Sequence, residues 1–330
     1  MRRQAVIHIG FHKTGTSWFQ QVLYPLVSSH HLADRDLVRS TFMGGDAFHF
    51  DAAKARRTLE DASNGRPAII CEEDLSGILH IGAASTYIAK VVAGRLRDSF
   101  ADADVIIFVR AQTDAAASWY AQYVREGGTA SPRRYFFPDE YLFPGRNTPF
   151  KIARFDFSQL DFAGLIQEYD RLFGRDRVHV FAFEELTSDP ERVLRRLRSL
   201  GLDFPDEVPL ARVNAAYRKR LVPIARATAL FTARSVENKR TILHLPFWFR
   251  GRLRLLNLLD RLPVFGRRLQ SSDVLDKAIS EWISAYFCDS NQWLEERMGM
   301  DLGALGYPIR RPTSQAIPFR RPLWIRWTRK

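Results

Sequence analysis

The stretch from Gly10 to Trp18 reads Gly-Phe-His-Lys-Thr-Gly-Thr-Ser-Trp, and it directly follows an apolar run at residues 5–9, Ala-Val-Ile-His-Ile. Short runs rich in Val and Ile are typical of buried strands. Beyond the stretch, apolar residues recur at helical spacing, at Phe19, Val22, Leu23 and Leu26. Two glycines lie between the two patterns, so the sequence predicts a strand, a tight loop and a helix in that order.

The loop between this strand and helix is a candidate anion-binding site. A loop that leads into a helix directs backbone N–H groups and the positive end of the helix dipole toward one point. Lys13 adds a mobile positive charge, and Thr14, Thr16 and Ser17 add hydroxyl groups. These groups suit a phosphate or a similar anion and can stabilise charge that grows on it. The alternative is an ordinary turn rich in Gly and Thr that binds no ligand.

The order of Lys13 and Gly15 separates this loop from the usual nucleotide-triphosphate loop, in which Lys follows the second glycine. Lys before Gly, with Thr-Ser-Trp after it, resembles the 5′-phosphosulfate loop of sulfotransferases, which use 3′-phosphoadenosine 5′-phosphosulfate (PAPS). The resemblance implies a PAPS site formed by Gly10, His12, Lys13, Thr14, Gly15, Thr16, Ser17 and Trp18.

A second stretch carries the same resemblance. Arg110 ends an apolar run, and Ser118 lies about two turns into the helix predicted after it, so the two side chains can grip one phosphate from two sides. This pair resembles the 3′-phosphate motif of sulfotransferases, which implies that Arg110 and Ser118 hold the 3′-phosphate of PAPS. Taken alone, Arg110 would more simply pair with Asp114. Arg218 and Lys219 are further candidates for the 3′-phosphate grip.

Strands and helices alternate along the chain. Apolar runs predict further buried strands at residues 68–71, 105–109 and 178–183. The sequence therefore predicts an α/β fold, a P-loop-like parallel β-sheet flanked by helices. Ligands of such sheets bind beyond the carboxyl ends of the strands, where Gly10–Ser17, Glu72–Asp74 and Arg110 would meet. Residues 30–61 are polar and irregular and predict a loop.

Sulfuryl transfer needs a base for the acceptor hydroxyl and a cation for the leaving phosphate oxygen. Lys13 is suited to the second role. Glu73 is the predicted base, because similar bacterial sulfotransferases carry a Glu after the second strand. His49 is the runner-up, and His12 is the third candidate. No acidic cluster points to a metal ion, so PAPS is the expected co-substrate and no metal is expected.

The formal charge of +12 is distributed unevenly. Residues 218–268 carry a local charge of +11 and residues 309–330 carry +7, which leaves −6 on the rest of the chain. We therefore divide the chain into a sulfotransferase domain at residues 1–308 and a basic aromatic tail at 309–330. A basic, mostly helical insertion at about residues 218–272 interrupts the domain.

The insertion and the tail are candidates for contact with an anionic membrane. Residues 246–262 mix large apolar side chains with arginines, which suits a helix in a membrane interface. A helical pair that packs Leu on the core and leaves Arg in solvent explains the same pattern. For the tail, contact with a membrane or another polyanion is favoured. No nucleic-acid partner is expected, since no binding motif accompanies the charge.

The remaining sequence features concern one long aromatic-rich segment and the location of the protein in the cell. Residues 132–157 are rich in Pro, Arg and aromatics and predict either a lid over the acceptor pocket or a loop pinned to the core. Only two cysteines occur, without the spacing of a metal site or a disulfide framework. No cleavable leader and no membrane span are expected. We expect a cytoplasmic protein, with peripheral contact at the inner membrane face left open.

Together these patterns predict an enzyme that moves a sulfuryl group from PAPS to a hydroxyl of a glycan, a glycolipid or another amphiphilic acceptor, and a small soluble alcohol is left open as the acceptor. Two alternatives remain. A P-loop nucleotide kinase is disfavoured by the order of Lys13 and Gly15. A non-catalytic membrane-surface protein would retain the loop only as structure.

Overall fold

The computed structural model describes residues 4–137, 154–210, 217–232 and 241–310. In this part of the chain, five parallel strands form one sheet in the order β2-β3-β1-β4-β5. The strands are β1 at Val6–Gly10, β2 at His31–Leu32, β3 at Ala68–Cys71, β4 at Asp104–Val109 and β5 at Val178–Ala182. The predicted α/β fold, a parallel sheet flanked by helices, is confirmed.

Helices connect and cover the strands. The described α-helices are Thr16–Trp18, Arg35–Phe42, Ala52–Ala62, Ala84–Ser99, Gln112–Arg125, Pro132–Phe136, Phe162–Phe173, Phe183–Ser188, Pro190–Ser199, Leu221–Thr228, Trp248–Leu259, Ser271–Val274 and Lys277–Met298. A π-helical segment at Phe19–Leu23 and a 3-10 turn at Tyr24–Leu26 extend the first of them. Other 3-10 turns are Glu73–Ser76, Phe157–Leu160, Arg175–Arg177, Ala229–Phe231 and Pro263–Phe265.

The central position of β1 determines where the functional loops lie. Strand β1 pairs in parallel with β3 and β4, so that Val6 lies opposite Ile69 on one side and Asp104 on the other. These three strands therefore end at the same edge of the sheet. The loop that starts after Gly10 is flanked there by the segments that follow β3 and β4, which is where ligands of such sheets bind.

Both faces of the sheet are buried in hydrophobic cores. Ile7 and Ile9 belong to the larger core, whereas Val6 and Phe108 belong to a second core that includes Phe19. The alternation follows from the two-residue period of a strand. Because both faces are covered, every residue of β1 is buried, and the strands read as continuous apolar runs in the sequence.

The prediction of a loop at residues 30–61 is wrong. This segment contains β2 and two helices, Arg35–Phe42 and Ala52–Ala62. The first helix is capped by Asp34, whose carboxylate accepts hydrogen bonds from two backbone N–H groups of the first turn. The inward faces of the helices bury apolar side chains spaced four residues apart: Val38, Phe42, Ala55 and Leu59. Polar residues on the outer faces outnumber these apolar side chains, so the helical spacing was not recognised in the sequence.

The described part of the basic insertion includes the helices Leu221–Thr228 and Trp248–Leu259, and the packing of the second differs from the simple expectation of Leu inward and Arg in solvent. Leu256 is fully buried, but Leu258 is exposed. Arg252 is also fully buried, and its guanidinium donates to the carbonyl oxygens of Val124 at 2.9 Å and Ala225 at 2.8 Å. The buried charge is accommodated because backbone carbonyls of two other helices accept its hydrogen bonds.

Some predictions lie partly outside the described residues. They are the tail, of which residues 311–330 are not described, and the aromatic-rich segment, of which 138–153 are not described. At the described ends of that segment, Tyr135 and Phe155 are buried in the core. No helix in the described ranges has both the length and the apolar character needed to cross a membrane.

Candidate active site

The loop after β1 turns tightly over its own backbone. Lys13 and Gly15 both have positive φ, 69° and 92°, a region that glycine adopts easily and lysine rarely. The Thr14 hydroxyl donates to the carbonyl oxygen of Phe11 at 2.6 Å, and the Trp18 N–H donates to the carbonyl oxygen of Gly15 at 2.8 Å. Local hydrogen bonds thus stabilise a strained backbone conformation, and such conformations are concentrated at functional sites.

Two features of this loop fit a bound anion. Thr16 Oγ1 is buried and has no hydrogen-bond partner among the residues that the structure describes. Buried hydroxyls are normally satisfied, so a ligand oxygen would supply what this one lacks. A Cβ built on Gly10 would stand 2.0 Å from the same Oγ1. Only glycine leaves room there for the Thr16 side chain. Ser17 is half-buried, and Trp18 is buried.

Lys13 reaches from this loop to the helix Gln112–Arg125. Its Nζ donates to Oε1 of Gln122 at 2.7 Å. Burial lowers the pKa of the Lys13 amine, and the nearby Glu73 carboxylate opposes part of that effect. The ammonium group is therefore poorly solvated, and an anion beside it gains more than it would at an exposed lysine.

Arg110 joins the two predicted anion motifs. Its Nη1 donates to the carbonyl oxygen of Lys13 at 3.0 Å and to Ser118 Oγ at 3.4 Å. Its guanidinium also lies over the ring of Phe183, 5.0 Å from the centroid. Burial lowers the pKa of Arg110, but a guanidinium stays charged in a protein. Arg110 thus donates to the loop and to the next helix, and not to Asp114, which is the partner expected from the sequence alone.

Glu184 fixes the backbone next to Arg110. Its carboxylate accepts from the N–H of Ala111 at 3.0 Å and from the hydroxyl of Tyr307 at 3.1 Å. Burial raises the pKa of Glu184, although these two hydrogen bonds oppose the shift. The ends of β4 and β5 and the segment after the last helix are thereby tied together beside the predicted 3′-phosphate site.

A cavity of about 390 Å³ opens beside Lys13. Its wall carries ionisable side chains from four segments: His12, Arg39, Glu73, Asp74, His80 and Glu126. Burial is the main cause of the raised pKa of Asp74. A molecule that enters the cavity meets Lys13 and this acid-rich wall together. In the described residues, no group of three or more His, Cys, Asp or Glu side chains is arranged to hold a metal ion.

Glu72 and Glu73 follow β3 but have different surroundings. Glu72 is fully buried, with its carboxylate 2.7 Å from Arg35 Nε and 3.1 Å from Arg39 Nη2. Burial opposes ionisation of Glu72, but the arginines outweigh it and keep its pKa below the usual value. Glu73 is partly exposed in the cavity, with Oε2 4.0 Å from His12 Nδ1. Glu72 thus has a structural role, and Glu73 is the carboxylate available to a ligand.

Three other predicted residues lie elsewhere in the described structure. His49 is highly exposed, pairs with Asp46 and does not line the cavity. Arg218 donates from Nε to the carbonyl oxygen of Asp260 at 2.9 Å, and Lys219 Nζ lies 2.8 Å from Asp273 Oδ1. The structure therefore brings Glu73 and His12 next to Lys13, whereas Arg218 and Lys219 bind carbonyl and carboxylate groups of the insertion and its flank.

Sequence reasoning missed a pair of residues on the cavity wall, His80 and Glu126. His80 has a positive φ of 68°, and its Nε2 lies 3.3 Å from Glu126 Oε2. The Tyr135 hydroxyl lies 3.2 Å from the other ring nitrogen. Burial would raise the pKa of Glu126, but His80 and Gln122 outweigh it, so the pKa is lowered. No local pattern predicts this pair, because 46 residues separate its members.

The chain is similar to several solved structures. The chain is similar to a sulfotransferase from Alicyclobacillus acidocaldarius, with 17% identity and a TM-score of 0.53 over 92% of this chain and 99% of that one. It is also similar to mouse sulfotransferase SULT7A1 complexed with PAP, with 14% identity and a TM-score of 0.43 over 92% and 89%. A sulfotransferase domain from the curacin biosynthetic pathway has 14% identity and a TM-score of 0.32 over 62% and 77%.

No protein-family model and no curated protein matches the sequence. The likeness to the Alicyclobacillus structure nevertheless shows that the chain has the sulfotransferase fold, as the resemblance of its two motifs predicted.

Proposed function

We propose that this protein transfers a sulfuryl group from PAPS to a hydroxyl acceptor. The observation that carries the proposal is the position of Arg110, which bonds both Ser118 and the Lys13 carbonyl although Lys13 lies 97 residues away in the chain. The two candidate anion-binding groups thereby lie next to each other. A donor that carries phosphate groups on both its 3′ and 5′ sides needs two anion-binding groups close together. An ordinary turn rich in Gly and Thr that binds no ligand does not need a second anion-binding group beside it.

The residues of the two candidate anion sites fit such a donor. We assign its 5′-phosphosulfate to the loop Gly10–Trp18, where the unsatisfied Thr16 hydroxyl is available. We assign its 3′-phosphate to Arg110 and Ser118. When bound, PAPS supplies an activated sulfuryl group whose transfer releases adenosine 3′,5′-bisphosphate. Arg218 and Lys219 stay as secondary candidates, although both bind other groups in the structure.

The chain itself supplies a cation and a base. Lys13 provides positive charge for the oxygen that leaves sulfur, and its poorly solvated surroundings strengthen that interaction. Glu73 lies in the same cavity and is the carboxylate we assign to remove the proton of the acceptor hydroxyl. His12 lies 4.0 Å from Glu73 and is suited to orient it or to share its proton. His49 is the alternative base only if its exposed segment moves toward the cavity.

The acceptor that we propose is a hydroxyl of a glycan, a glycolipid or another amphiphile. Carboxylates accept hydrogen bonds from hydroxyl groups, and the cavity contains three, from Glu73, Asp74 and Glu126. Carbohydrate hydroxyls match such a wall better than a second phosphate group would, because like charges repel. We place the reaction in the cytoplasm, where a nucleotide donor is available, with the protein in peripheral contact with a membrane.

The kinase alternative receives less support. The place of Lys13 before Gly15 differs from the nucleotide-triphosphate loop, in which Lys follows the glycine. The non-catalytic alternative requires that Thr16, Lys13 and Glu73 have no ligand, which leaves the unsatisfied Thr16 hydroxyl unexplained.

The test is calorimetric titration with adenosine 3′,5′-bisphosphate in EDTA, compared with ATP in magnesium. We expect tight binding of the bisphosphate without metal, weak binding of ATP, and loss of bisphosphate affinity in Lys13→Ala and Arg110→Ala. Lys54→Ala and Arg57→Ala are matched controls, since both side chains are exposed on the helix Ala52–Ala62. They should bind like the wild type.

Two outcomes would contradict the proposal. A folded protein that binds no bisphosphate rules out the donor class. Tight magnesium-dependent binding and turnover of ATP would instead support the kinase. If the bisphosphate binds, screening acceptors with labelled PAPS follows.

A further inference from the structure

The described surface of the basic insertion is unusually apolar. Eight of the sixteen exposed large hydrophobic side chains in the described chain lie between Ile242 and Val264. Phe247 is 91% exposed, Ile242 73% and Val264 67%. Single exposed apolar residues are ordinary, but a concentration of them in one segment marks an interaction site. We call residues 242–264 the insertion surface.

Positive charge surrounds these apolar side chains. Arg250, Arg254 and Arg261 are exposed on the insertion surface, and no ion pair joins them to another residue of the described chain. The acid of this segment is Asp260, which accepts from the backbone N–H of Arg218 at 2.8 Å and also pairs with Arg268. Because Asp260 is already neutralised, the surface offers unbalanced positive charge.

Helical geometry places the charged and apolar groups on the same side. Phe247 is the N-cap residue of the helix Trp248–Leu259, and Arg254 and Leu258 follow it at separations of seven and four residues, so the three lie along one stripe. The opposite side buries Arg252 and Leu256. A helix with large apolar side chains and arginines together on its outer face matches the interface of an anionic bilayer, where Arg reaches the headgroup phosphates and Phe and Leu enter the acyl boundary.

The insertion surface is held rigidly against the rest of the protein. Arg252 donates to the carbonyl oxygens of Val124 and Arg125, at 2.9 and 3.2 Å, and the Trp248 indole N–H donates to the carbonyl oxygen of Thr228 at 2.8 Å. Val124 and Arg125 end the helix that also carries Gln122, the partner of Lys13. A surface bound to the membrane would therefore lie one helix away from the candidate active site.

We propose that the insertion surface docks this protein onto an anionic phospholipid bilayer. The charge decides between a bilayer and a second copy of the chain, since two copies of a surface with a net positive charge repel each other, whereas anionic headgroups attract it. Docking itself does not depend on the proposed sulfuryl transfer. The assignment of an amphiphilic acceptor does depend on it, and membrane contact would bring such an acceptor to the enzyme.

The test is co-sedimentation with phosphatidylcholine vesicles that either contain or lack phosphatidylglycerol. We expect binding only to the anionic vesicles, and weaker binding as salt is raised. Substituting Arg250, Arg254 and Arg261 together by Gln should reduce the affinity about a hundredfold, since each arginine contributes roughly fivefold near an anionic surface. The double variant Phe247→Ser, Leu258→Ser should lower it about tenfold or more, because two apolar side chains no longer enter the bilayer.

The matched control is Phe48→Ser, because Phe48 is 90% exposed, as much as Phe247, and lies outside the insertion. It should bind vesicles like the wild type. Every variant should also bind adenosine 3′,5′-bisphosphate with unchanged affinity, which separates docking from the proposed function. If the bisphosphate does not bind but the vesicles do, the proposed function fails and the docking proposal stands.

Three results would overturn the docking proposal. The first is no binding of the wild type to anionic vesicles. The second is equal loss of binding in Phe48→Ser and in the insertion variants. The third is a dimer in analytical ultracentrifugation that Phe247→Ser, Leu258→Ser dissociates, since that result assigns the surface to a second copy of the chain.

Discussion

The side chains that we assign to the donor, the donor wall, differ in charge from those that we assign to the acceptor, the acceptor wall. The donor wall contains Lys13 and Arg110, joined by a hydrogen bond from Arg110 to the Lys13 carbonyl. The acceptor wall contains three carboxylates, two imidazole rings and one guanidinium that pairs with Asp74: Glu73, Asp74, Glu126, His12, His80 and Arg39. A positive wall stabilises charge on a leaving phosphate, and a wall rich in carboxylates removes a proton. Because of this contrast, we assign the donor and the acceptor to different groups that meet at Lys13.

The largest effect should come from the residue where the walls meet. Lys13→Ala should lower kcat by about a thousandfold or more, because the charge on the leaving oxygen loses its cation. Turnover of labelled PAPS with an acceptor identified by screening measures this. Lys54→Ala, at an exposed lysine, should keep full activity. Full activity of Lys13→Ala would mean that the donor wall is not used for chemistry.

The second effect should identify the base on the acceptor wall. Glu73→Gln should reduce kcat by roughly 10² to 10³, since the acceptor hydroxyl loses its proton acceptor, while bisphosphate affinity stays unchanged. His80→Asn, Glu126→Gln and His49→Asn are the comparisons, and each should have a smaller effect. If one of these abolishes turnover and Glu73→Gln does not, the base is that other residue.

A third test concerns how the acceptor wall is supported. Arg252→Met should lower the free energy of unfolding by about 2 kcal/mol, because carbonyl groups at the end of the helix Gln112–Arg125 lose buried donors. Urea denaturation measures this. Arg254→Met, at an exposed position of the same helix, should change stability by about 0.5 kcal/mol or less. Equal stabilities of the two variants would show that Arg252 does not hold that helix end.

The smallest effect should be a pH dependence of bisphosphate binding to the donor wall. Burial lowers the pKa of Lys13 below its ordinary 10.5, so the ammonium group loses its proton at lower pH than a free lysine does. Bisphosphate affinity should therefore fall as pH rises toward that lowered pKa, by at most about tenfold per pH unit above it. Lys13→Arg should flatten this profile, since a guanidinium does not titrate there. An unchanged slope in Lys13→Arg would contradict the assignment.

The two walls also differ in how well the sequence predicts them. The donor loop lies in one stretch, Gly10–Trp18, whose glycines, hydroxyls and Lys indicate an anion site without any long-range contact. Arg110 and Ser118 were found because a helix places residues two turns apart on one face, and the structure brings them within 3.4 Å. The parallel sheet followed from the alternation of apolar runs with helical patterns.

The acceptor wall was predicted only in part, because most of it forms in the tertiary structure. Glu73 was proposed as the base from its place after a strand and from the resemblance to bacterial sulfotransferases, whereas His80 and Glu126 meet only after the chain has folded. The burial of Arg252 was missed for the same reason, since its acceptors are carbonyls of a helix far away in sequence. The helices within residues 30–61 are different: their apolar spacing was present in the sequence but outnumbered by polar residues.

The central claim is that Arg110 binds the 3′-phosphate of the donor and that the loop after β1 binds its 5′-phosphosulfate. The most direct test compares the affinities of adenosine 3′,5′-bisphosphate and adenosine 5′-monophosphate, by calorimetry, for the wild type and Arg110→Ala. We expect the wild type to prefer the bisphosphate by about a hundredfold, from charge-assisted hydrogen bonds, and Arg110→Ala to bind both nucleotides equally. The same preference in both proteins would contradict the account.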